Sequence, residues 1–437
     1  MASPPGPPVL AAGKVTIWST LWPMGGVLSG SLLIAWATEV LSFFLSRGLA
    51  FAVLALLQVL PEFAVEATIT LGAAGDASQL KYVTANFTGA NRLIVGLFIP
   101  LVFFMAAHRA KRRSQRIDWV DLPKESSIEV MALIVATLYS FTIVLRGRVS
   151  LVDAVILVAI YVMYLYLTYH MPPEQEEHHA LPLVPRTIRA QPVARQKWII
   201  AAFFLIGGGL LYVSVHPFYV NTLELGAIVG IGGYFLLQWL APFLSEFPEF
   251  ITILYWGRTG RAQLGLTNAI SSKVNQWTLL IAMIPVVYAY GTWKHGNLLG
   301  SLVFDDSQKL EILLTAAQGL FAAAAFLNLR FHRWEALALI VLWGIQLFDP
   351  LIDPWLEAQF GALPHYFAPA ADEAGNLIPH YVREWTTVAY LILTPLAIFL
   401  PKERFAAIVG FKDVWKTLIL RGHVTPPPPT TEPPRNP

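Results

Sequence analysis

Between Gly226 and Trp256 the chain is almost continuously apolar, yet the middle of that run reads Leu244-Ser245-Glu246-Phe247-Pro248-Glu249. A proline inside a membrane helix removes one backbone hydrogen bond and crowds the carbonyl four residues back, so the helix bends and leaves carbonyl oxygens unpaired. Unpaired carbonyls beside carboxylates suit a cation. An ionised acid near a bilayer centre costs roughly 3 kcal/mol on insertion scales, so it persists where it is paired, lines a wet cavity or holds an ion. A second copy, Gln58-Val59-Leu60-Pro61-Glu62 with Glu66 one turn on, lies in the apolar run 49–74.

The remainder of the composition fits this reading. Of 437 residues, 56% are hydrophobic and 13% charged, and the mean hydropathy is +0.56, far above an ordinary soluble domain. A multi-pass protein of the cell membrane is expected. There is no Cys, hence no disulfide or thiolate metal site, and the ten His are scattered without a helical zinc-binding pair. The formal net charge of +2 does not bear on nucleic acid either way, because what matters is where Lys and Arg fall relative to the membrane. The expected partners are the lipid bilayer and inorganic cations, with no nucleic acid.

Residues 1–26 read as a disordered leader. Their Pro- and Gly-rich start lacks the basic segment of a signal peptide. Spans are expected at 27–46, 49–74, 84–107, 126–145, 149–170, 198–216, 225–256, 264–290, 310–329, 334–348 and 385–400, each judged against the ~20 apolar residues that cross a bilayer. With the leader outside, 21 of the 30 Lys and Arg fall in inside segments and 7 outside, while Arg92 and Lys273 lie within spans. That bias supports the orientation and an odd number of spans.

Residues 171–197 form a polar cytoplasmic linker that divides the chain. Its Glu174, Glu176, Glu177, His178 and His179 read as a solvated charge run, with metal binding as the alternative. The 349–384 segment is an extracytoplasmic loop, either a cap or a plain connector. Residues 401–437 combine an interfacial amphipathic helix with a disordered Pro-rich tail.

The halves 27–170 and 198–348 carry corresponding features. Each second span holds Pro-Glu, and each third span opens with a polar cluster, Thr84 to Asn91 and Thr267 to Lys273. Five spans per half make the halves enter from opposite faces, so their broken helices meet near the midplane. The fold expected is an all-α polytopic membrane protein of two inverted five-helix repeats plus an additional C-terminal transmembrane helix.

These residues resemble the sodium/calcium exchangers of the cation/calcium antiporter superfamily, whose two repeats each pair a Gly-Thr-Ser-x-Pro-Glu helix with a Gly-Asn-x-x-Gly-Ser-Asn helix. In the second half Ser245, Pro248-Glu249, Asn268 and Ser272 match. In the first, Pro61-Glu62, Asn86, Gly89 and Asn91 match, with about five extra residues between the helices. Departures are Gln58 and Val59 for Thr and Ser, Glu246 for Ser, Ala90 for Ser, Lys273 for Asn, and Ile94 and Gln276 for polar residues. Most of these are sodium-ligand positions in the family, so the shared geometry is better supported than the shared ions.

The resemblance implies a secondary active cation antiporter, not an enzyme, working by alternating access, with no cofactor beyond its transported ions, Ca²⁺, Na⁺ or H⁺. Glu62 and Glu249 would be the paired ligands, with Ser245 and nearby carbonyls completing the shell. On helices Glu66 falls one turn from Glu62, and Glu246 three residues from Glu249, so four acids converge. For Glu66 and Glu246, ligation stands beside neutralisation by Arg92 or Lys273. Gln58, Asn86, Asn91, Asn268 and Ser272 complete the candidate set, the asparagines having helix-to-helix hydrogen bonding as their alternative. Lys273 and Arg92 are expected to compensate charge, Lys273 by pairing Glu246 or Glu249 and so doing a sodium ion's electrostatic work. Two other readings are an integral-membrane enzyme using these acids, which lacks a nucleophile motif or phosphate loop, and a transport-inactive sensor or scaffold.

The orientation is testable because the chain has no Cys. With single cysteines probed on intact cells by an impermeant thiol reagent, Gln359→Cys is expected to label from outside and Arg112→Cys to stay protected. Labelling of Arg112→Cys from outside would overturn the orientation.

Overall fold

The computed structural model describes residues 17–44, 59–170, 182–229, 232–296, 301–365, 367, 370–371, 377–378, 380–401 and 404–421. Its first helix, α1 (Ile17–Leu41), lies antiparallel to the 37-residue α8 (Val193–Val229). Ser19 meets Asn221, Gly30 meets Gly207 and Trp36 meets Phe203. The helix starts within the expected leader, at Ile17 and not at 27. Pro23 has no N–H for the Ser19 carbonyl, which would normally end a helix there; the Asn221 amide donates to that carbonyl instead. A neighbouring helix has re-satisfied the backbone, as the membrane interior requires.

The first half continues with α2 (Leu60–Gly75), then α3 (Leu80–Leu93), a π-helical turn (Ile94–Phe98) and α4 (Ile99–Arg112). Next come α5 (Ser127–Arg146) and α6 (Leu151–Tyr169). A short helix, α7 (Leu183–Arg189), and the start of α8 occupy the expected linker, so only its first part, 171–181, lies outside the described residues. The second half has α9 (Gly233–Ser245) and α10 (Phe247–Thr259), then α11 (Ala262–Asn275), a π-helical turn (Gln276–Leu280) and α12 (Ile281–Lys294). After these come α13 (Asp306–Phe326) and α14 (Arg333–Leu347).

The helix–π–helix segments match in every length: 14, 5 and 14 residues in each half. Short strands show how the halves meet. β1 (Trp119–Asp121) precedes α5 and β2 (Arg148–Val149) follows it; β3 (Leu302–Val303) precedes α13 and β4 (Arg330–His332) follows it. β1 pairs β4 and β2 pairs β3, both antiparallel. The start of each helix is therefore tied to the end of the other, so α5 and α13 run side by side in opposite directions, which fits two inverted halves. α13 is deeply enclosed, with 83% of its apolar window buried inside the protein.

Among the described residues, seven helical segments are long and apolar enough to cross a membrane unaided: Trp18–Leu41, Ala77–Arg112, Lys124–Arg146, Leu151–Tyr169, Val193–Ile228, Ala262–Lys294 and Asp306–Phe326. An eighth is counted if α14 and α15 (Asp349–Phe360), bent by 73° at their junction, form one span. Eleven are expected from the sequence. Of the remaining expected spans, 49–74 falls partly outside the described residues, and 225–256 is broken at Glu246 between two 13-residue helices.

The 349–384 segment is not a plain loop. It contains α15, a small antiparallel pair of β5 (Ala370–Ala371) with β6 (Leu377–Ile378), and the start of α16 (Tyr381–Phe399), four residues ahead of the expected 385. The stretch expected to form an interfacial helix is helical, α17 (Ala406–Arg421). It is held to the turn just before α5 by a 2.6 Å Lys124–Asp413 ion pair and to the end of α13 by Ala407 N–H to Leu327 O at 2.9 Å. The Pro-rich tail from 422 lies outside the described residues.

One crossing sets the position of the second Pro-Glu segment. Pro242 has no N–H for the Gln238 carbonyl, and α3 packs onto that spot with Gly89. A Cβ on residue 89 would sit 1.8 Å from the Gln238 carbonyl oxygen. Gly89→Ala is expected to cost about 1–3 kcal/mol through overpacking, read as a lower midpoint of thermal unfolding in detergent; an unchanged midpoint would show slack at this crossing.

Candidate cation site

The second-half acids stand at a break between two helices. Glu246 is neither in α9 nor in α10, with φ −94° and ψ 1°. Pro248 follows near the start of α10, lacking the N–H that the Leu244 carbonyl would take, and Glu249 sits in the first turn. In the first half Pro61 opens α2 and Glu62 again occupies the first turn. Both Pro-Glu carboxylates thus stand at helix N-termini, where backbone N–H groups favour negative charge.

One side chain joins the halves. The Gln276 amide Nε2, on the second π-helical turn, donates to Glu62 Oε1 at 3.2 Å and to Glu246 Oε1. Glu249 Oε1 accepts from Asn268 Nδ2 at 3.2 Å and from Ser272 Oγ. Glu66 accepts from Asn86 Nδ2 at 2.6 Å and Thr70 Oγ1 at 3.4 Å. Glu62 lies within electrostatic reach of Glu249 and Glu66. Four buried acceptor oxygens in this neighbourhood, Glu246 Oε2, Gln276 Oε1, Asn86 Oδ1 and Asn275 Oδ1, have no donor among the described residues. Buried oxygens in that condition carry a desolvation penalty that a cation relieves.

The five extra residues of the first repeat have a structural consequence. They set Asn86 against Glu66 one turn beyond Glu62, whereas Asn268 meets Glu249 itself. Glu62 is left to Gln276, from the opposite half. Ser245 is buried, but its hydroxyl donates to the Ala241 and Pro242 carbonyls of its own helix, both at 3.2 Å. Gln58 lies outside the described residues.

The charge-compensating roles differ from expectation. Arg92 forms a 2.6 Å ion pair with Glu311 on α13, reaches Gln346 Oε1 at 3.4 Å and lies over the Trp239 ring at 5.1 Å. Six residues beyond Asn86, it is turned roughly 240° around the helix from the face that meets Glu66. Lys273 forms no ion pair with Glu246 or Glu249, although Glu246 lies within its electrostatic reach: its Nζ donates to both the backbone O and Oδ1 of Asn91 at 2.8 Å, and lies 4.9 Å from the Trp277 ring. Among the described residues it forms no ion pair. Lys273 follows Asn268 by about 140° of helix turn, and it meets the residue 182 positions earlier, its own counterpart in the first half. Asn91 is occupied by this contact and by its own donation to Phe87 O at 2.8 Å.

Two features escaped the sequence reading. Gln276 looked like a departure from a family pattern, although its position four residues after Ser272 puts it on the same helix face. Glu311, near the start of the expected 310–329 span, was not singled out. It bridges Arg92 and Arg383 (2.8 Å to Nη1), accepts from Gln238 at 3.1 Å, and Arg383 Nε continues to Asp349 at 2.7 Å. This quartet is charge-balanced and closed on itself.

Helices from two matching segments, interrupted at prolines and bringing carboxylates together across their interface, define an exchanger-type membrane protein. The sodium/calcium exchanger protein family model matches residues 15–170 and 199–348. The chain belongs to that family. It is similar over 93% of its length to 92% of the H⁺/Ca²⁺ exchanger CAX, with 33% identity and a TM-score of 0.78. The sodium-calcium exchanger NCX_Mj, in crystals soaked with Na⁺ and Sr²⁺, aligns with 76% of this chain and 97% of its own at 16% identity and a TM-score of 0.49. No curated protein matches in sequence.

Since Arg92 serves Glu311 and not the acid cluster, Arg92→Gln is expected to leave a buried carboxylate exposed to Arg383 alone and cost about 3–5 kcal/mol, seen as a large drop in the thermal midpoint. A loss of cation binding with an unchanged midpoint would return Arg92 to the cation site.

Proposed function

We propose that the protein is an antiporter that carries Ca²⁺, or a similarly hard divalent cation, against protons, by alternating access at a midplane site built on Glu62, Glu246 and Glu249. The observation that carries this reading is the shared donor: Glu62 and Glu246 come from different halves, yet lean on one Gln276 amide, while Glu246 Oε2 and Gln276 Oε1 have no donor among the described residues. Hard carboxylate and amide oxygens are the ligand set of Ca²⁺. Two crowded carboxylates repel one another when both are ionised, and either a divalent cation or a proton relieves that repulsion. The same acids therefore suit both exchanged ions. Similarity to an H⁺/Ca²⁺ exchanger over nearly the whole length supports this choice of ions.

Asn268 and Ser272 hold Glu249 in place, and Asn86 holds Glu66. Lys273, tethered to Asn91 between the halves, places an amine where the family pattern has Asn. With all four acids and Lys273 ionised the neighbourhood keeps an excess of negative charge, which a divalent cation offsets. In this reading the protein needs no sodium, and the Arg109 to Lys124 loop faces the cytoplasm of a cell-membrane protein.

Flux in proteoliposomes tests the proposal. A pH gradient is expected to drive Ca²⁺ uptake by the wild type without sodium; Glu62→Gln and Glu249→Gln are expected to reduce it to the protein-free background while still inserting, and Glu39→Gln to leave most of it. Lys273→Asn is expected to alter the pH dependence of flux. Near-native uptake by either of the first two variants, or uptake driven by a sodium gradient and not by pH, would overturn the proposal.

A further inference from the structure

Away from the transport acids, the connector between α15 and α16 gathers two histidines and a glutamate. His365 lies a few residues past the end of α15, His380 immediately precedes α16, and Glu384 is in the first turn of α16. One ligand atom from each lies within 4.8 Å of the others. His380 and Glu384 are buried at 1% and 3% exposure. The His365 side chain is 16% exposed, leaving one approach from outside.

Two of the three side chains, His365 and Glu384, are held in place by their neighbours. The His365 ring stacks on Tyr381 at 4.3 Å with 10° between planes, and the Tyr381 hydroxyl accepts from Leu363 N–H at 2.9 Å. Glu384 Oε1 accepts from Phe367 N–H at 3.0 Å. Val382 N–H donates to Asp353 Oδ1 at 2.9 Å, pinning the start of α16 to α15. Yet neither ring nitrogen of His380 has a partner among the described residues, and nor does His365 Nδ1, which lies 3.6 Å from Glu384 Oε1. That separation is too long for a hydrogen bond. A buried imidazole with both nitrogens unmatched bears the full penalty of unmade hydrogen bonds, and nothing in the transport reading accounts for it.

We infer that His365, His380 and Glu384 form a binding site for a borderline transition-metal ion of the Zn²⁺ class, separate from the transport acids, which clamps the connector to the start of α16. Two imidazoles and a carboxylate with a further position left open are a ligand set that such ions take. Ligands about 2.0–2.1 Å from a tetrahedral ion stand roughly 3.3 Å apart, so the 3.6 Å His365–Glu384 separation already fits and a modest rotation brings in His380. Ca²⁺ prefers six to eight oxygens and does not suit this set.

The test uses full-length, tag-free protein in detergent, stripped of metal and titrated with Zn²⁺ by calorimetry and with Co²⁺ by its visible ligand-field absorption. One ion per chain is expected, with excess Ca²⁺ failing to compete. Binding is expected to weaken at least about tenfold in His380→Ala and in Glu384→Gln, each checked for a wild-type elution profile. His365→Ala, on the more exposed ligand, gives a second reading if His380→Ala does not fold. Glu62→Gln with Glu249→Gln, and His178→Ala with His179→Ala, are expected to bind Zn²⁺ as the wild type does. No Zn²⁺ binding by the wild type, undiminished binding in the folded ligand variants, or binding lost in either control pair would overturn the inference.

Discussion

A charged side chain inside a low-dielectric protein must find its partners within that protein, and this chain meets the demand in two different ways. Arg92, Glu311, Arg383 and Asp349 form a closed quartet in which two acids face two bases at 2.6 to 2.8 Å. Its charges are spent on one another. Glu62, Glu66, Glu246 and Glu249 are supplied instead with amides and hydroxyls, which hold a carboxylate without cancelling its charge. Such a cluster keeps its attraction for a cation. Because buried ion pairs gain little over a well-packed apolar core but are costly to break, the quartet is best understood as a device that fixes α3, α13 and α16 around the unfinished cluster.

Backbone chemistry places that cluster. Pro242 and Pro248 remove two N–H groups within a short stretch of α9 and α10, and the helix breaks at Glu246 between them. The Gln238 carbonyl left behind is met by α3 at Gly89, where only a residue without Cβ fits. The two helix–π–helix segments bring their equivalent positions together at Asn91 and Lys273, and the second π-helical turn starts with Gln276, whose amide reaches both halves. π-Helical turns recur at functional sites because the extra residue re-aims the side chains that follow.

Much of the architecture is legible in the sequence because its cause is local. Apolar runs become helices, Pro-Glu marks the interruptions, and polar clusters at corresponding places reveal the duplication. Boundaries were less legible. Helix α1 runs unbroken through Pro23 because Asn221, some two hundred residues away, donates to the carbonyl that Pro23 leaves open. The connector after α14 looked like a loop because its helix is short and carries Pro354 in its interior.

The resemblance to the family, the corresponding features of the two halves and the carboxylates within apolar segments can all be read along the chain. Which base meets which acid is not. Arg92 and Lys273 both read as neutralisers of the same four acids, but a helix turns 100° per residue, so each side chain points to whatever the neighbouring helix offers: Glu311 for one and Asn91 for the other. Gln276 and the His365–His380–Glu384 group belong to the same class of fact. Their significance lies in distances between residues far apart in sequence, which packing alone decides.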